Sequence, residues 1–390
     1  MTITTPVQAA TPQAATPERA KTLEKMVGGR KVTLTPERAD AFGRELDELK
    51  ERIIADLGDR DATYIRRMIK AQRGLEVGGR ALLFGGIFPP FWLAGTALLG
   101  LSKIIDNMEI GHNVMHGQYD WMGDPAISSS AFEWDTACPA DQWRHSHNYM
   151  HHTYTNIVGL DRDVGYGILR MSEDQKWRPY FLGNPVYAFL LMVLFQYGVA
   201  LHELEADRIR DGEISLSDKR EILQGIWRKA KRQTLKDYVA FPLLAGPCAP
   251  WVFTGNLTAN LMRNVWSYMI IFCGHFPEDV QEFSIEEIKA ESRGQWYFRQ
   301  VLGSANLTGL SPRRSARPES AKLFHILSGN LSFQIEHHLF PDIPAHRHAE
   351  ISTEVRDICN RYGVPYNTGP LPRQFATVVR KIVTLALPWT

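Results

Sequence analysis

The sequence predicts an all-α integral membrane protein with about four transmembrane helices and a helical cap on the cytoplasmic side. Three observations support this prediction. The chain has three long stretches with almost no charge, its basic residues cluster outside those stretches, and most of its histidines lie in the same outer segments or at the edges of the stretches. The alternative is a large soluble protein whose apolar helices are buried in its core.

The apolar stretches match the length that a bilayer requires, since a helix needs about 20 apolar residues to cross its hydrocarbon core. Two stretches, 81–102 and 179–201, carry no acidic or basic residue, and the third, 238–277, carries only Arg263. The third is long enough for two spans with a break between residues 246 and 255. We therefore expect about four spans.

Pro89 and Pro90 leave two arrangements open for the first stretch, because proline kinks or ends a helix. The prolines either kink a single span or lie between a short span ending near Phe88 and a longer helix. That longer helix would run from Phe91 to about Gly117.

Basic residues indicate the orientation. They precede the first stretch, recur from Arg208 to Lys236, and follow the last stretch at Arg313, Arg314 and Arg317. If the spans form hairpins, these segments share one side of the membrane, and the positive-inside rule makes that side cytoplasmic. A site built from the histidine clusters should then face the cytoplasm.

The remaining composition narrows the class of protein. Lys and Arg number 44 against 43 Asp and Glu, so the charge balance does not indicate a nucleic-acid partner. The four cysteines are scattered and predict neither a disulfide framework nor a structural zinc finger. Residues 1–30 are predicted to be a disordered tail, and residues 31–390 a single domain.

The first histidine cluster places two imidazoles on one helical face. His112 and His116 are four residues apart, so their rings project from the same side of a helix. Glu109 precedes His112 by three residues and is expected either to bind a metal weakly or to orient His112 through its second ring nitrogen.

The second cluster has the same spacing with one more histidine. His147 and His151 are four apart, and adjacent residues point about 100° apart on a helix. We therefore expect His147 and His151 to hold one ion and His152 to turn toward a second. His145 should lie on the opposite face, exposed or outside the ligand set.

The third cluster, His337 and His338, follows Gln334, whose carbonyl oxygen is a poorer ligand than an imidazole. His275 is isolated but lies at the end of the last apolar stretch, so it joins the expected ligands. The other histidines are expected to be surface or structural residues: His202, His325, His346 and His348.

Eight imidazoles exceed what one ion requires. A zinc ion is satisfied by three or four ligands, so the set favours two redox-active first-row ions. Soluble di-iron carboxylate proteins use two E-x-x-H motifs, and this chain has only the one at Glu109–His112. The sequence therefore predicts a site with two metal ions and open positions for oxygen chemistry.

These motifs, in this order, resemble those of the integral-membrane fatty acid desaturases. The matching runs are E-I-G-H-N-V-M-H-G from 109, W-R-H-S-H-N-Y-M-H-H-T-Y-T-N from 143 and S-G-N-L-S-F-Q-I-E-H-H-L-F-P from 328. The likeness spans about residues 60–370 and is nearest to actinobacterial acyl-CoA desaturases of the stearoyl-CoA Δ9 type. It identifies the histidine boxes as 112–116, 147–152 and 334–338.

The resemblance implies two iron ions, O2 as co-substrate and a cis double bond placed in a long-chain acyl substrate, with acyl-CoA as the expected form. The implied ligands are the box histidines and His275: His112, His116, His147, His151, His152, His275, His337 and His338. Two positions depart from animal acyl-CoA members, which have His where this chain has Gln334 and a water-linked Asn where it has Ile271.

The resemblance also implies partners and a location. The sequence has no H-P-G-G haem motif, so electrons are expected from a separate ferredoxin- or flavin-type reductase on the cytoplasmic face of a bacterial cell membrane. The basic segment between Arg208 and Lys236 is a candidate for binding the phosphates of CoA. Tryptophans near the boxes are candidates for lining an acyl tunnel: Trp121, Trp134, Trp143 and Trp266.

Two other functions stay open from the sequence. Membrane hydroxylases acting on fatty acyl or alkyl chains use similar boxes and differ in yielding an alcohol. A metal transporter would place its ligands within the spans, whereas these boxes lie at span ends.

Overall fold

The computed structural model describes residues 22–311 and 318–389. Most of the predicted disordered tail, residues 1–21, lies outside the described residues, as do Arg313, Arg314 and Arg317 of the last basic segment. The tail boundary at residue 30 is wrong, because strands β1 (Leu23–Val27) and β2 (Arg30–Leu34) pair as an antiparallel hairpin.

Helices dominate the described part of the chain, as predicted, although four short strands accompany them. The longer α-helices, in chain order, are α1 (Pro36–Ala55), α2 (Asp59–Leu83), α3 (Pro89–Ile104), α4 (Asn184–Val193), α5 (Phe195–Leu201), α6 (Arg220–Leu235), α7 (Ala249–His275), α8 (Arg293–Leu302), α9 (Pro318–Leu327), α10 (Gln334–Leu339), α11 (His348–Tyr362) and α12 (Leu371–Leu385). Strands β3 (Asn306–Leu307) and β4 (Thr368–Gly369) pair in parallel.

Three π-helical segments extend or join these helices. They are Ile105–His112, which continues α3, Arg144–His151, and Lys236–Ala240, which continues α6. Short α-helical turns follow them at Asn113–Met115, His152–Tyr154 and Phe241–Leu244. Because π-turns are rare and concentrate at functional sites, the first two segments draw attention to the histidines they carry.

Helix α1 illustrates how the cap is held together. Thr35 caps its first turn by accepting a hydrogen bond from the backbone N–H of Arg38, and Pro36 occupies the first helical position. Phe42 and Leu46, four residues apart, are fully buried against a core formed with the hairpin, α8, α10 and α11. These elements form the helical cap, and α10, which carries the third box, packs into its apolar core.

Helices α2 and α3 form a hairpin whose turn ends at Phe88, just before the two prolines, so the long helix of the second arrangement is present while its membrane spans stay a prediction. Helical structure runs without a break from Pro89 to Met115. The two helices approach closely at Gly79, where a Cβ atom would lie 2.8 Å from the backbone nitrogen of Leu99. Small residues at such crossings allow the close helix packing that is common in membrane proteins.

The other two apolar stretches are divided. Residues 179–201 bend sharply at Leu194, and residues 238–277 break at Gly246–Cys248 before α7 begins. Across the described chain, no individual helix meets the length and hydropathy expected of a membrane span. The bent pair Pro179–Val193 and Phe195–Leu204 meets them jointly, with a 102° angle between its limbs. The number of spans stays a prediction.

A buried ionic cluster connects α2, α3 and the π-helical segment before α7. The Asp237 carboxylate, 2 % exposed, accepts from Lys103 Nζ at 2.8 Å and lies 3.3 Å from an Arg80 nitrogen. Asn260 of α7 also donates to Asp237, at 3.1 Å. Buried charges are costly unless they are paired and hydrogen-bonded, so these partners fix how the four segments pack.

Candidate metal centre

The eight predicted imidazoles converge in one place. Ligand atoms of His112, His116, His147 and His337 lie within 4.8 Å of one another and form the first group. His151, His275 and His338 meet the same limit and form the second group. His152 lies between them, with its ring centroid 4.7 Å from that of His116 and 4.5 Å from that of His338.

Both halves of the chain are needed to build these groups. The first and second boxes lie on the π-helical segments and the short turns that follow them, while His275 ends α7 and the third box lies on α10. His337 and His338 point about 100° apart on α10. Each therefore enters a different group.

The expected pairing of His147 and His151 is met in one grouping and not in another. The two join the first and the second group, respectively, but they also lie within the same 4.8 Å limit of each other together with Asp163, and their rings stack with centroids 5.0 Å apart. One helical turn separates the two residues along the helix axis. The first box approaches at the level of His147, while His275 approaches at the level of His151, 4.6 Å away.

Unpaired ring nitrogens indicate that the groups suit metal ions. The Nε2 atoms of His112, His116, His147 and His151 are buried without a hydrogen-bond partner. Both ring nitrogens of His152 and of His337 are in the same condition. Leaving a buried polar atom unpaired costs about 1–3 kcal/mol, and a bound metal would satisfy the lone pairs of many of them at once. A set of neutral imidazoles fits iron.

Hydrogen-bond acceptors beside Nδ1 favour the tautomer that carries its proton on Nδ1 and leaves the lone pair on Nε2. Nδ1 lies 3.0 Å from an acceptor in both His112 and His338, the side-chain oxygens of Asn113 and Gln300, respectively. Nδ1 of His275 lies 3.3 Å from the backbone oxygen of Gly303. Such contacts orient metal-binding imidazoles.

A carboxylate supports the second box. Nδ1 of His151 lies 3.0 Å from each oxygen of Asp161, which also accepts from the backbone nitrogens of Asn156 and Asp163. Asp163 lies further away, 3.6 Å from His151 and 3.7 Å from His147. The loop after the second box is thus folded around the histidines that it follows.

Burial and these carboxylates set the protonation of the cluster. Burial lowers the pKa of His112 to about 4, so its imidazole is neutral and able to bind a metal. Burial also opposes the charged form of His151, but the carboxylates of Asp161 and Asp163 outweigh it and raise the pKa to about 9. A metal ion binding His151 would displace a proton.

Gln334 lies beside the second group. Its amide nitrogen donates to Nε2 of His275 at 2.9 Å, while its amide oxygen is buried without a partner. Glu109 has a different role from either that the sequence predicts. Its two carboxylate oxygens accept from the Tyr64 hydroxyl at 2.6 Å and the Asn330 amide at 3.0 Å.

The histidines predicted to lie outside the ligand set are of two kinds, exposed and buried. His145 lies outside the cluster, as expected, with Nδ1 2.7 Å from Glu203 and a side chain that is 53 % exposed. The expectation that His348 is a surface residue is wrong, because it is fully buried with its ring centroid 6.1 Å from that of His337. His346 is half-buried, paired with Asp61 and stacked on Tyr64.

A mostly apolar cavity adjoins both groups. Trp134, Trp143 and Ile271 line it together with His112 and His275. Two tryptophans predicted for this wall lie elsewhere. Trp121 is 43 % exposed, and the indole N–H of Trp266 donates to the Leu327 backbone oxygen.

Asp161, Asp163 and His348 are the site residues that sequence reasoning missed. The run D-R-D at 161–163 follows the second box closely, and carboxylates commonly orient metal-binding histidines. That pairing was the available signal. His348 gave none, because its spacing from the third box places it beyond a helix end.

Known proteins resemble this chain in sequence over most of its length. Residues 88–370 match the family model described as fatty acid desaturase. The chain is 46% identical over 359 residues to the NADPH-dependent stearoyl-CoA 9-desaturase of Mycobacterium tuberculosis, covering 91% of this chain and 82% of that protein. It is 25% identical over 360 residues to the sn-1 linoleoyl-lipid 6-desaturase of a Synechocystis species, covering 88% and 94%.

Proposed function

The chain belongs to the fatty acid desaturase family, and from that premise we propose that it is an O2-dependent di-iron desaturase. Its proposed reaction places a cis double bond in a long-chain acyl-CoA. The observation that carries the proposal is the pair of imidazole groups beside the apolar cavity. The substrate class comes from the similar stearoyl-CoA 9-desaturase.

The overall reaction removes two hydrogens from adjacent methylenes. One O2, two electrons and two protons are consumed for each double bond, and two waters are released. An unactivated C–H bond offers nothing to a general base, so the irons, when bound, supply the oxidising power from O2.

The chain's own residues hold and orient the reactants. The first group and the second group each hold one iron, with His152 between them. Asp161 fixes the ring of His151, and Gln334 lies within reach of the second iron's ligands. Trp134 and Trp143 form part of the apolar wall of the cavity. This wall positions an acyl chain and excludes water from the reacting carbons.

We place the protein in a bacterial cell membrane with its metal centre toward the cytoplasm. Large apolar side chains are exposed on the helices of the predicted spans: Phe91, Leu93, Val186, Phe189, Leu190, Leu243, Leu244, Phe253, Leu257 and Leu261. Exposed apolar surface of this extent is typical of membrane contact. The arrangement of basic segments supports the cytoplasmic assignment.

Product analysis tests the proposal. The chain is expressed in a desaturase-deficient host with an electron-transfer reductase, and the lipids are analysed by gas chromatography–mass spectrometry. We expect new mono-unsaturated acyl chains that are absent when His151→Ala is expressed instead. A hydroxy fatty acid as the sole product would identify a hydroxylase and reject the desaturase.

A further inference from the structure

Helix α6 presents an exposed basic face. Trp227 is 68 % exposed, and it lies among four exposed cations: Arg220, Arg228, Lys231 and Arg232. Their spacing places them on one side of the helix. Within the described chain, none of the four has an ion-pair partner, whereas Lys229, on the inward side, is paired with Glu133. We call Trp227 and the four exposed cations the α6 basic face.

The other side of α6 packs toward the metal centre. Ile226 belongs to the same buried cluster as Trp134 and Trp143. Lys229 Nζ also donates to the Trp134 backbone oxygen at 2.7 Å. The helix therefore packs against the segment that carries these two tryptophans, where Gln142 also donates to the Ile222 backbone oxygen at 3.2 Å.

Trp134 and Trp143 lie between α6 and the histidines. Their ring centroids are 5.2 Å apart, and the Trp143 ring stacks on His147 with a centroid distance of 4.4 Å. The indole N–H of Trp134 donates to the Cys138 backbone oxygen at 2.7 Å, which fixes that ring. Aromatic contacts thus run from Trp134, whose backbone oxygen accepts from Lys229 of α6, to His147 of the first group.

We propose that the α6 basic face docks an acidic one-electron carrier protein of iron–sulfur or flavin type. The inference rests on the proposed function, because only an O2-dependent reaction needs this delivery of electrons. Each docked carrier is oxidised by one electron, so two reduced carriers are consumed per double bond. The two protons come from water, and both electrons end in the water produced from O2.

Charge and position together favour a carrier protein over anionic lipid. Four unpaired cations around an exposed tryptophan are complementary to an acidic surface, and such patches speed association with a charged partner. A lipid surface would require the same charges. It would not require that they lie on the helix that packs against the segment carrying the tryptophan stacked on a metal ligand.

The test uses the iron-loaded protein in detergent and, as the probe, an acidic plant-type [2Fe–2S] ferredoxin. Arg228→Glu/Lys231→Glu/Arg232→Glu is compared with the control Arg373→Glu/Arg380→Glu, which reverses two exposed charges on α12. We expect the wild type to bind ferredoxin at low ionic strength and to release it as salt screens the charges. The triple reversal should weaken binding at least about tenfold, and the control should not.

A second readout separates docking from chemistry. The irons are reduced anaerobically with dithionite, the excess is removed, and O2 is admitted for a single turnover. At saturating acyl-CoA the triple variant should form product here like the wild type, but lose most ferredoxin-driven turnover. A raised acyl-CoA concentration for half-maximal product would instead assign these cations to the CoA phosphates, for which the segment from Arg208 to Lys236 is also a candidate. If the wild type forms no product in this assay, the proposed function fails, while ferredoxin binding still judges the docking surface.

Three results would overturn the docking proposal. The first is failure of the wild type to bind ferredoxin at low salt. The second is intact ferredoxin binding in the triple variant together with lost binding to phosphatidylglycerol vesicles, which would identify a lipid surface. The third is loss of iron in both the triple reversal and the milder Arg228→Gln/Lys231→Gln/Arg232→Gln, which would show a structural role.

Discussion

At the scale of single residues, the partners of each histidine decide its role. His151 has no exposed surface, contacts Asp161 through Nδ1 and leaves Nε2 unpaired. His145, on the same helical segment, is half-exposed and pairs with Glu203. Only the first of these contacts orients an imidazole toward other imidazoles.

Substitution of these two histidines should therefore give opposite results. His151→Ala removes one of three imidazoles from the second group and should reduce bound iron and abolish turnover. His145→Ala should largely preserve both, because it removes only a contact with Glu203. Iron analysis and product formation check the pair, and equal loss in both variants would contradict the assignment.

The convergence of the first two boxes was predictable, because four-residue spacing places two side chains on one helical face, whereas His275, His337 and His338 have no such spacing. Which other imidazoles His147 and His151 each meet was not predictable, since it depends on the height at which other helices approach. Asp161 and His348 were missed for a related reason. Their positions depend on a loop and a helix start that fold back onto the boxes, and periodicity does not describe such segments.

At the scale of elements, Asp237 joins three helices through buried charges. Asp237→Ala removes the nearest carboxylate of Lys103, which keeps Asp135 at 3.7 Å, and leaves Arg80 with Glu76 alone. Removal of one partner of a buried pair costs about 3–5 kcal/mol, and the remaining carboxylates should bring the cost to the lower end of that range. Glu286→Ala breaks an exposed pair with Lys289 and should cost no more than about 1 kcal/mol. Thermal unfolding in detergent measures both. Similar melting temperatures would show that the buried cluster is not stabilising.

The sequence predicted some elements more accurately than others. Pro89 and Pro90 correctly indicated a turn followed by a long helix through the first box. The bend at Leu194 was not predicted, because its flanking residues are as apolar as those of a straight helix. The hairpin of β1 and β2 was also missed. Its segment is short and polar, and the core residues against which the hairpin packs are distant in the sequence.

At the scale of the whole molecule, iron should act as a stabilising ligand. Each group combines imidazoles from both halves of the chain, so metal binding is linked to the fully folded state. A ligand present at one hundred times its dissociation constant stabilises a protein by about 2.7 kcal/mol. We expect removal of iron by chelation to lower Tm by several degrees, and re-addition to restore it.

Differential scanning fluorimetry with parallel iron analysis measures this effect. His145→Ala provides the matched control and should show the same decrease on chelation. In His151→Ala/His338→Ala, which has only one imidazole left in the second group, the decrease should be smaller. An unchanged Tm after complete iron removal would show that the centre forms without coupling the two halves.

Helix α10 has a mechanical consequence for the two metal positions. His337 and His338 are neighbours on a helix of six residues, and each completes a different group. In the proposed di-iron centre, the helix would therefore act as a spacer that sets the separation of the two ions. A rotation of α10 that brought one ring closer to its ion would move the other ring relative to the second ion, so we expect the two ions to change their coordination together.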